Sequence, residues 1–279
     1  MKAAQLVRGA ALAAAVLALF FLFSYLLFPS AKIDAVLAQI LSQQGLTLTP
    51  AVHKTFFPGL AWNNAQLSSD QGALLSFRRL QVRAELLPLL IGRAVISGEA
   101  AIGTGHLNTR YALNGKAALD LAAEGIALAD IPFFKSVLGA KTAGTLWSQG
   151  TLQRGGNSLS GNLKLEIQQL EFSGVKLGGF PLPDVTNLKT QGMVKVTDGK
   201  ARLESFTLEG DGVYMRLSGD IPSGANAAVT PLNMSLEIMP KPGFLEKQKL
   251  VFMLLAKFMT APGIYTVPIR GTLLKPVII

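Results

Sequence analysis

Beyond Gly45 the apolar residues recur at every second position, and four of these runs change face halfway along. Leu75 and Phe77 are odd-numbered, whereas Leu80, Val82 and Ala84 are even. In the same way Leu119, Leu121 and Ala123 give way to Ile126 and Leu128, Leu163, Leu165 and Ile167 to Leu170 and Phe172, and Ala201 and Leu203 to Phe206 and Leu208. Side chains alternate strictly along a strand, so each flip demands an extra residue, a bulge or a corner. The flips begin after Phe77, Leu121, Ile167 and Leu203, a recurrence of roughly 40 residues that falls in the range of repeat architectures. This pattern predicts bent hairpin units stacked into one curved, repetitive antiparallel β-sheet. Val213, Met215, Leu217, Gly219 and Ile221 alternate with Tyr214, Arg216, Ser218 and Asp220, a strand expected to pair with residues 201–208 through a turn at 209–212.

Helical spacing is confined to short stretches. Residues 30–44 carry Ile33, Val36, Leu37, Ile40 and Leu41 between Pro29 and Gly45, which predicts an amphipathic helix packed on the first strands rather than lying on the bilayer. Others are expected at 86–93, at 132–139, and near 243–259, where Phe244, Val251, Leu254, Leu255 and Phe258 share a face and the helix either caps the end of the sheet, the usual fate of a terminal helix, or dips into the membrane. The fold class is therefore mainly β with a few short helices. A one-faced apolar sheet needs a cover, and these helices supply little of it. Two arrangements stay open: the sheet curls into a sandwich or barrel with a closed core, or it leaves an apolar groove lined by Leu163, Leu165, Ile167, Val213, Met215 and Leu217.

With 49% apolar and only 15% charged residues and a mean hydropathy of +0.38, the chain calls for a membrane attachment. Residues 9–28 hold no charge, and about 20 residues at 1.5 Å each span the roughly 30 Å of a bilayer. Residues 1–29 thus read as a cytoplasmic tip and transmembrane anchor, and 30–279 as a β-rich domain. Lys2 and Arg8 precede the apolar run and Lys32 is the first cation after it, which puts the N-terminus in the cytoplasm and the bulk in the periplasm of a diderm cell. A cleaved signal peptide would want a shorter run and a small-residue site, which residues 28–31 do not offer.

No cysteine and only His53 and His106 are present, which excludes disulfides, thiol catalysis and cysteine-ligated metals. Neither a Gly-x-Ser-x-Gly elbow, a phosphate-cradling glycine loop nor His-Glu-x-x-His occurs, so no catalytic, cofactor-binding or metal residues and no small-molecule substrate are expected, and the reading is non-enzymatic. The net charge is +9, yet Arg78, Arg79 and Arg83 form the only dense cluster, which points away from nucleic acid and toward anionic lipid headgroups or a solvated basic face.

Phe180, Pro181, Leu182, Pro183 and Asp184 form a stiff, extended lead into a strand from Val185, and this segment reads as an edge or a partner-docking loop. A strand at 265–273 interrupted by Pro268 is likewise expected at an edge. Four features in order carry a resemblance: the apolar run ending in Phe28-Pro29, the turn Leu86-Leu87-Pro88-Leu89-Leu90-Ile91-Gly92-Arg93, the loop Gly178-Gly179-Phe180-Pro181-Leu182-Pro183-Asp184, and the terminal 265–276 strand. Together they resemble the type II secretion system protein N family of Gram-negative bacteria over nearly the whole chain. The first two also fit envelope proteins of AsmA-like build, a membrane anchor followed by a repetitive β half-barrel or groove. The resemblance implies an inner-membrane component or assembly factor of the protein secretion apparatus that acts by contact with other secretion components. The AsmA-like build implies, as the alternative, a lipid-binding or lipid-transfer module with phospholipid in its groove.

Overall fold

The computed structural model describes residues 29–55, 58–115, 117–156, 158–223 and 227–279. The expected anchor segment, 1–29, lies outside the described residues except for Pro29, and among those described no helix is long and apolar enough to cross a membrane. The chain runs α1 (Ser30–Ser42), β1 (Leu46–Thr49), β2 (His53–Lys54), β3 (Gly59–Ser69), β4 (Gly72–Ala84), α2 (Leu86–Leu90), β5 (Val95–Ile102), β6 (Gly105–Ala112), β7 (Ala117–Ala127), α3 (Phe133–Leu138), β8 (Lys141–Gly155) and β9 (Ser158–Ser173). It continues through β10 (Lys176–Leu177), β11 (Phe180–Pro181), β12 (Val185–Thr197), β13 (Lys200–Glu209), β14 (Val213–Ile221), β15 (Asn233–Pro240), α4 (Pro242–Lys247), α5 (Lys249–Leu255), β16 (Met259–Ala261), β17 (Ile264–Gly271) and β18 (Pro276–Ile278). One large antiparallel sheet takes the strands almost in chain order, from β1 and β3 at one edge to β17 and β16 at the other, and its two edges do not pair. The short β10–β11 hairpin stands apart between β9 and β12.

Three of the four face changes expected from sequence parity are bulges. On β7, Glu124 and Gly125 oppose one residue of β8, between the pairs Ala123↔Ser148 and Ile126↔Leu146. This flip follows Ala123, not Leu121, because Ala123 is still buried on the first face. On β9 one extra residue near Gln169, whose φ is 52°, breaks the register toward both β8 and β12. On β13, Glu204 and Ser205 face the single Ser218 of β14. The flip after Phe77 differs, since the pairs Trp62↔Leu80 and Ala65↔Phe77 keep one register. There β3 turns over together with β4, at Asn64 with φ 52°, so neither strand gains a residue on the other.

At the β9 bulge the ladder is repaired by a side chain. The buried Thr190 hydroxyl accepts from the Ile167 N–H at 2.8 Å and donates to the Ile167 carbonyl at 3.0 Å. Thr190→Val keeps the shape and removes both bonds, so it is expected to cost about 1–3 kcal/mol, read from the urea midpoint at unchanged m-value.

The sheet is rolled. Asp70 lies in the β3–β4 turn and Lys275 in the β17–β18 turn, strands that a flat sheet would hold roughly 50 Å apart at ~4.8 Å per strand. Their side chains meet at 2.7 Å. The Lys275 ammonium, as hydrogen-bond donor, holds the Asp70 carboxyl below its usual 3.8. A depressed carboxylate stabilises the fold above its unfolded pKa and loses that contribution as pH falls through the folded one. Acidification from about pH 5 is therefore expected to release this tie, with only a small change in melting temperature because both groups are solvent-exposed. In Asp70→Asn that increment of pH dependence should be absent.

Within the roll the apolar face is continuous. Ile33 and Leu37 of α1 pack on Val52, Trp62 and Ala65, and Phe77 joins that cluster to Ile102, Ala123 and Ile126. Ile131 and Leu146 carry it into the main core around Met215, Ile238 and Val267. The expected long C-terminal helix is two short ones and a 3-10 turn at Ala256–Phe258. It breaks at Gln248 (φ −118°, ψ 32°), whose side-chain amide is committed to the backbone of Asp184. On β17, β16 and β18 cover the ends of the outer side and leave 266–268, with Pro268, without a strand neighbour there among the described residues.

Candidate functional site

The inner face of the roll carries a half-open apolar cavity of about 310 Å³ between β8–β9, β13–β15, β17 and α3. Its walls include buried side chains from five strands: Ile167 and Leu170 on β9, Leu208 on β13, Met215 on β14, Leu236 on β15 and Ile269 on β17. Half-buried apolar groups form its rim, with Phe133 and Phe134 from α3, Phe206, Leu217 and Met234 from the strands, and Leu273 from the β17–β18 turn. Alternation explains the chemistry: the inward residues are apolar by period two, and the bulges turn the second half of each strand so that its own apolar set also faces in. Thr142 is the polar side chain in the lining, and its hydroxyl is already given to the Leu128 carbonyl at 3.3 Å. Among the described residues none that lines the cavity is charged.

A small residue makes room at the rim. Gly192 on β12 is opposite Phe206 in the register, and a Cβ there would stand 2.5 Å from the Phe206 ring. The missing side chain lets that ring lie down on the sheet.

Of the six residues expected to line a groove, Ile167, Met215 and Leu217 meet at this cavity. Val213 is buried in the same core without reaching the lining. Leu163 and Leu165 are half-buried beside a neighbouring cluster of Leu152, Val194, Val196 and Leu203, which Leu217 also touches. Sequence periodicity missed Phe133, Phe134, Leu182 and Leu273, because they sit in turns and short helices that have no period to read. The signal available was a bulky apolar residue in a segment otherwise built of turn residues.

The 180–184 loop is largely built into the fold. Phe180 and Pro181 form β11 against β10, Leu182 lines the cavity, and Pro183 is fully buried. Asp184 is exposed, and its carboxylate accepts the Gly174 N–H at 2.8 Å while its own N–H donates to Gln248 Oε1 at 2.8 Å. Phe180 meets Phe258 edge-on with centroids 6.1 Å apart, and Lys257 Nζ lies 4.9 Å over its ring. The loop thereby joins the β10–β12 region to the C-terminal helices.

Among the described residues no three His, Asp or Glu side chains are grouped to hold a metal, and His53 and His106 are both exposed. No protein-family profile, curated protein or solved structure matches the chain.

Proposed function

We propose that this protein is a lipid-binding module of the cell envelope, sheltering an acyl chain in the rolled sheet. The observation that carries the reading is the apolar cavity whose one polar lining group is already bonded within the protein. Its 310 Å³ is about twice an apolar cavity that accepts benzene, so roughly a dozen carbons fit. Each buried methylene contributes about 0.8 kcal/mol, enough in sum to hold a chain after the cost of ordering it. With no free polar group to orient a ligand, the pocket suits an unbranched hydrocarbon tail whose headgroup stays at the rim. The excess of cations that remains once Lys2 and Arg8 are set aside supports an anionic lipid. Native mass spectrometry of the full chain, released from mild detergent, tests this. Phospholipid adducts are expected, and a clean apo mass from gentle preparations would overturn the reading.

A second reading follows the resemblance to the secretion family and makes the domain a contact-making component of that apparatus. The outer side of β17 at 266–268, which has no strand partner among the described residues, favours it, since an unpaired strand edge accepts a partner strand. Photoreactive residues at Thr266 and Asp184 would then capture other secretion components in cells, and capture of lipid alone at Met215 would decide against it.

A further inference from the structure

Beyond its first residue, Lys249, the helix α5 is apolar all round, yet only half of it is covered. Val251, Phe252 and Leu255 point into the main core, while Leu250, Met253 and Leu254 point outward at 78%, 63% and 53% exposure. Met259, just beyond, is 47% exposed. A helix that is apolar on every side is ordinarily covered on every side, and exposed leucines and methionines grouped this closely mark an interaction surface.

The charges around the patch say what covers it. Lys241, Lys247, Lys249 and Lys257 are all exposed, against the single acid Glu246 in the same segment. Among the described residues none of the four lysines makes an ion pair. Lys257 lies instead over Phe180 and Phe258, 4.9 and 4.6 Å from the ring centroids. Bulky apolar side chains surrounded by unpaired lysines have the chemistry of a segment that lies in a membrane interface, with its apolar side chains among the acyl chains and its cations among anionic headgroups. A second copy of the patch would set these lysines against one another.

We infer that the C-terminal segment 241–259 docks on the surface of an anionic phospholipid bilayer, with Leu250, Met253, Leu254 and Met259 inserted and the four lysines at headgroup level. The inference is independent of the cavity, whose lining shares none of these residues. One face of α5 thus caps the sheet while the other seats the domain on lipid.

The chain has no cysteine, so Leu250→Cys provides a unique site for an environment-sensitive fluorophore. The labelled full chain is placed in vesicles of phosphatidylcholine alone or with added phosphatidylglycerol, with acyl-brominated lipid as the quencher. Gln71→Cys, in the exposed β3–β4 turn, is the reference site. The expected result is quenching at 250 and not at 71 when phosphatidylglycerol is present, with the ratio of docked to free falling about fivefold for each of Lys247, Lys249 and Lys257 changed to Gln. An unquenched label at 250 overturns the inference, as does quenching that is equal in phosphatidylcholine alone. A blue-shifted label that bromolipid does not quench would assign the patch to a second copy and overturn it too.

Discussion

Replacing Ile238 by alanine is expected to destabilise the domain by about 2–5 kcal/mol. Ile238 is fully buried on β15, opposite Met215 on β14 and Tyr265 on β17, and it lies within the main core but outside the cavity lining. The lost methyl and methylene groups therefore leave a new void in a filled region, with neighbours on both flanking strands that cannot collapse into it. Urea denaturation followed by circular dichroism measures this as a lowered midpoint. A loss under about 1 kcal/mol would mean that β14, β15 and β17 do not close over this position.

Ala140→Phe should act in the opposite sense. Ala140 is buried just ahead of β8 and lines the cavity. A phenyl ring there has about half the cavity to occupy on the benzene scale, so the fold is expected to keep or gain thermal stability. Bound phospholipid, counted by native mass spectrometry, should drop at least about tenfold, equivalent to 1.4 kcal/mol of lost binding. If the core were already filled, the added ring would overpack it, and stability would fall by about 1–3 kcal/mol. The pair of variants thus separates core from cavity within one cluster of side chains, which hydrophobicity alone does not distinguish.

Much of the sheet was legible residue by residue. Pairing of 213–221 with 201–208 appears as Leu208↔Met215 and Ala201↔Ile221, and the parity changes after Ile167 and Leu203 are bulges in the register. These features are local, because a strand's alternation and an extra residue in it are both recorded along a few consecutive positions. The Phe77 flip was visible too, but its form was not. Whether a parity change becomes a bulge or a concerted turn depends on what the partner strand does at the same level, and Asn64 of β3 is the residue that decided it.

The 180–184 loop marks where local reading stopped. Two closely spaced prolines implied an extended lead into β12, of which Phe180–Pro181 is a short strand, but its place against Gln248 and under Lys257 depends on residues more than sixty positions away. The same holds for the cavity. Ile167, Met215 and Leu217 could be named because inward positions follow from period two, whereas Phe133 and Leu273 reach the rim only because the sheet rolls far enough to bring α3 beside the β17–β18 turn. By itself the amino-acid order determined that the chain makes a long antiparallel sheet with one apolar face, since alternation is a property of each strand alone. How far that sheet curls, and hence whether its apolar face closes completely or keeps a cavity, was decided by the tertiary structure, because curvature sums the twist and bulges of many strands and no single segment carries that sum.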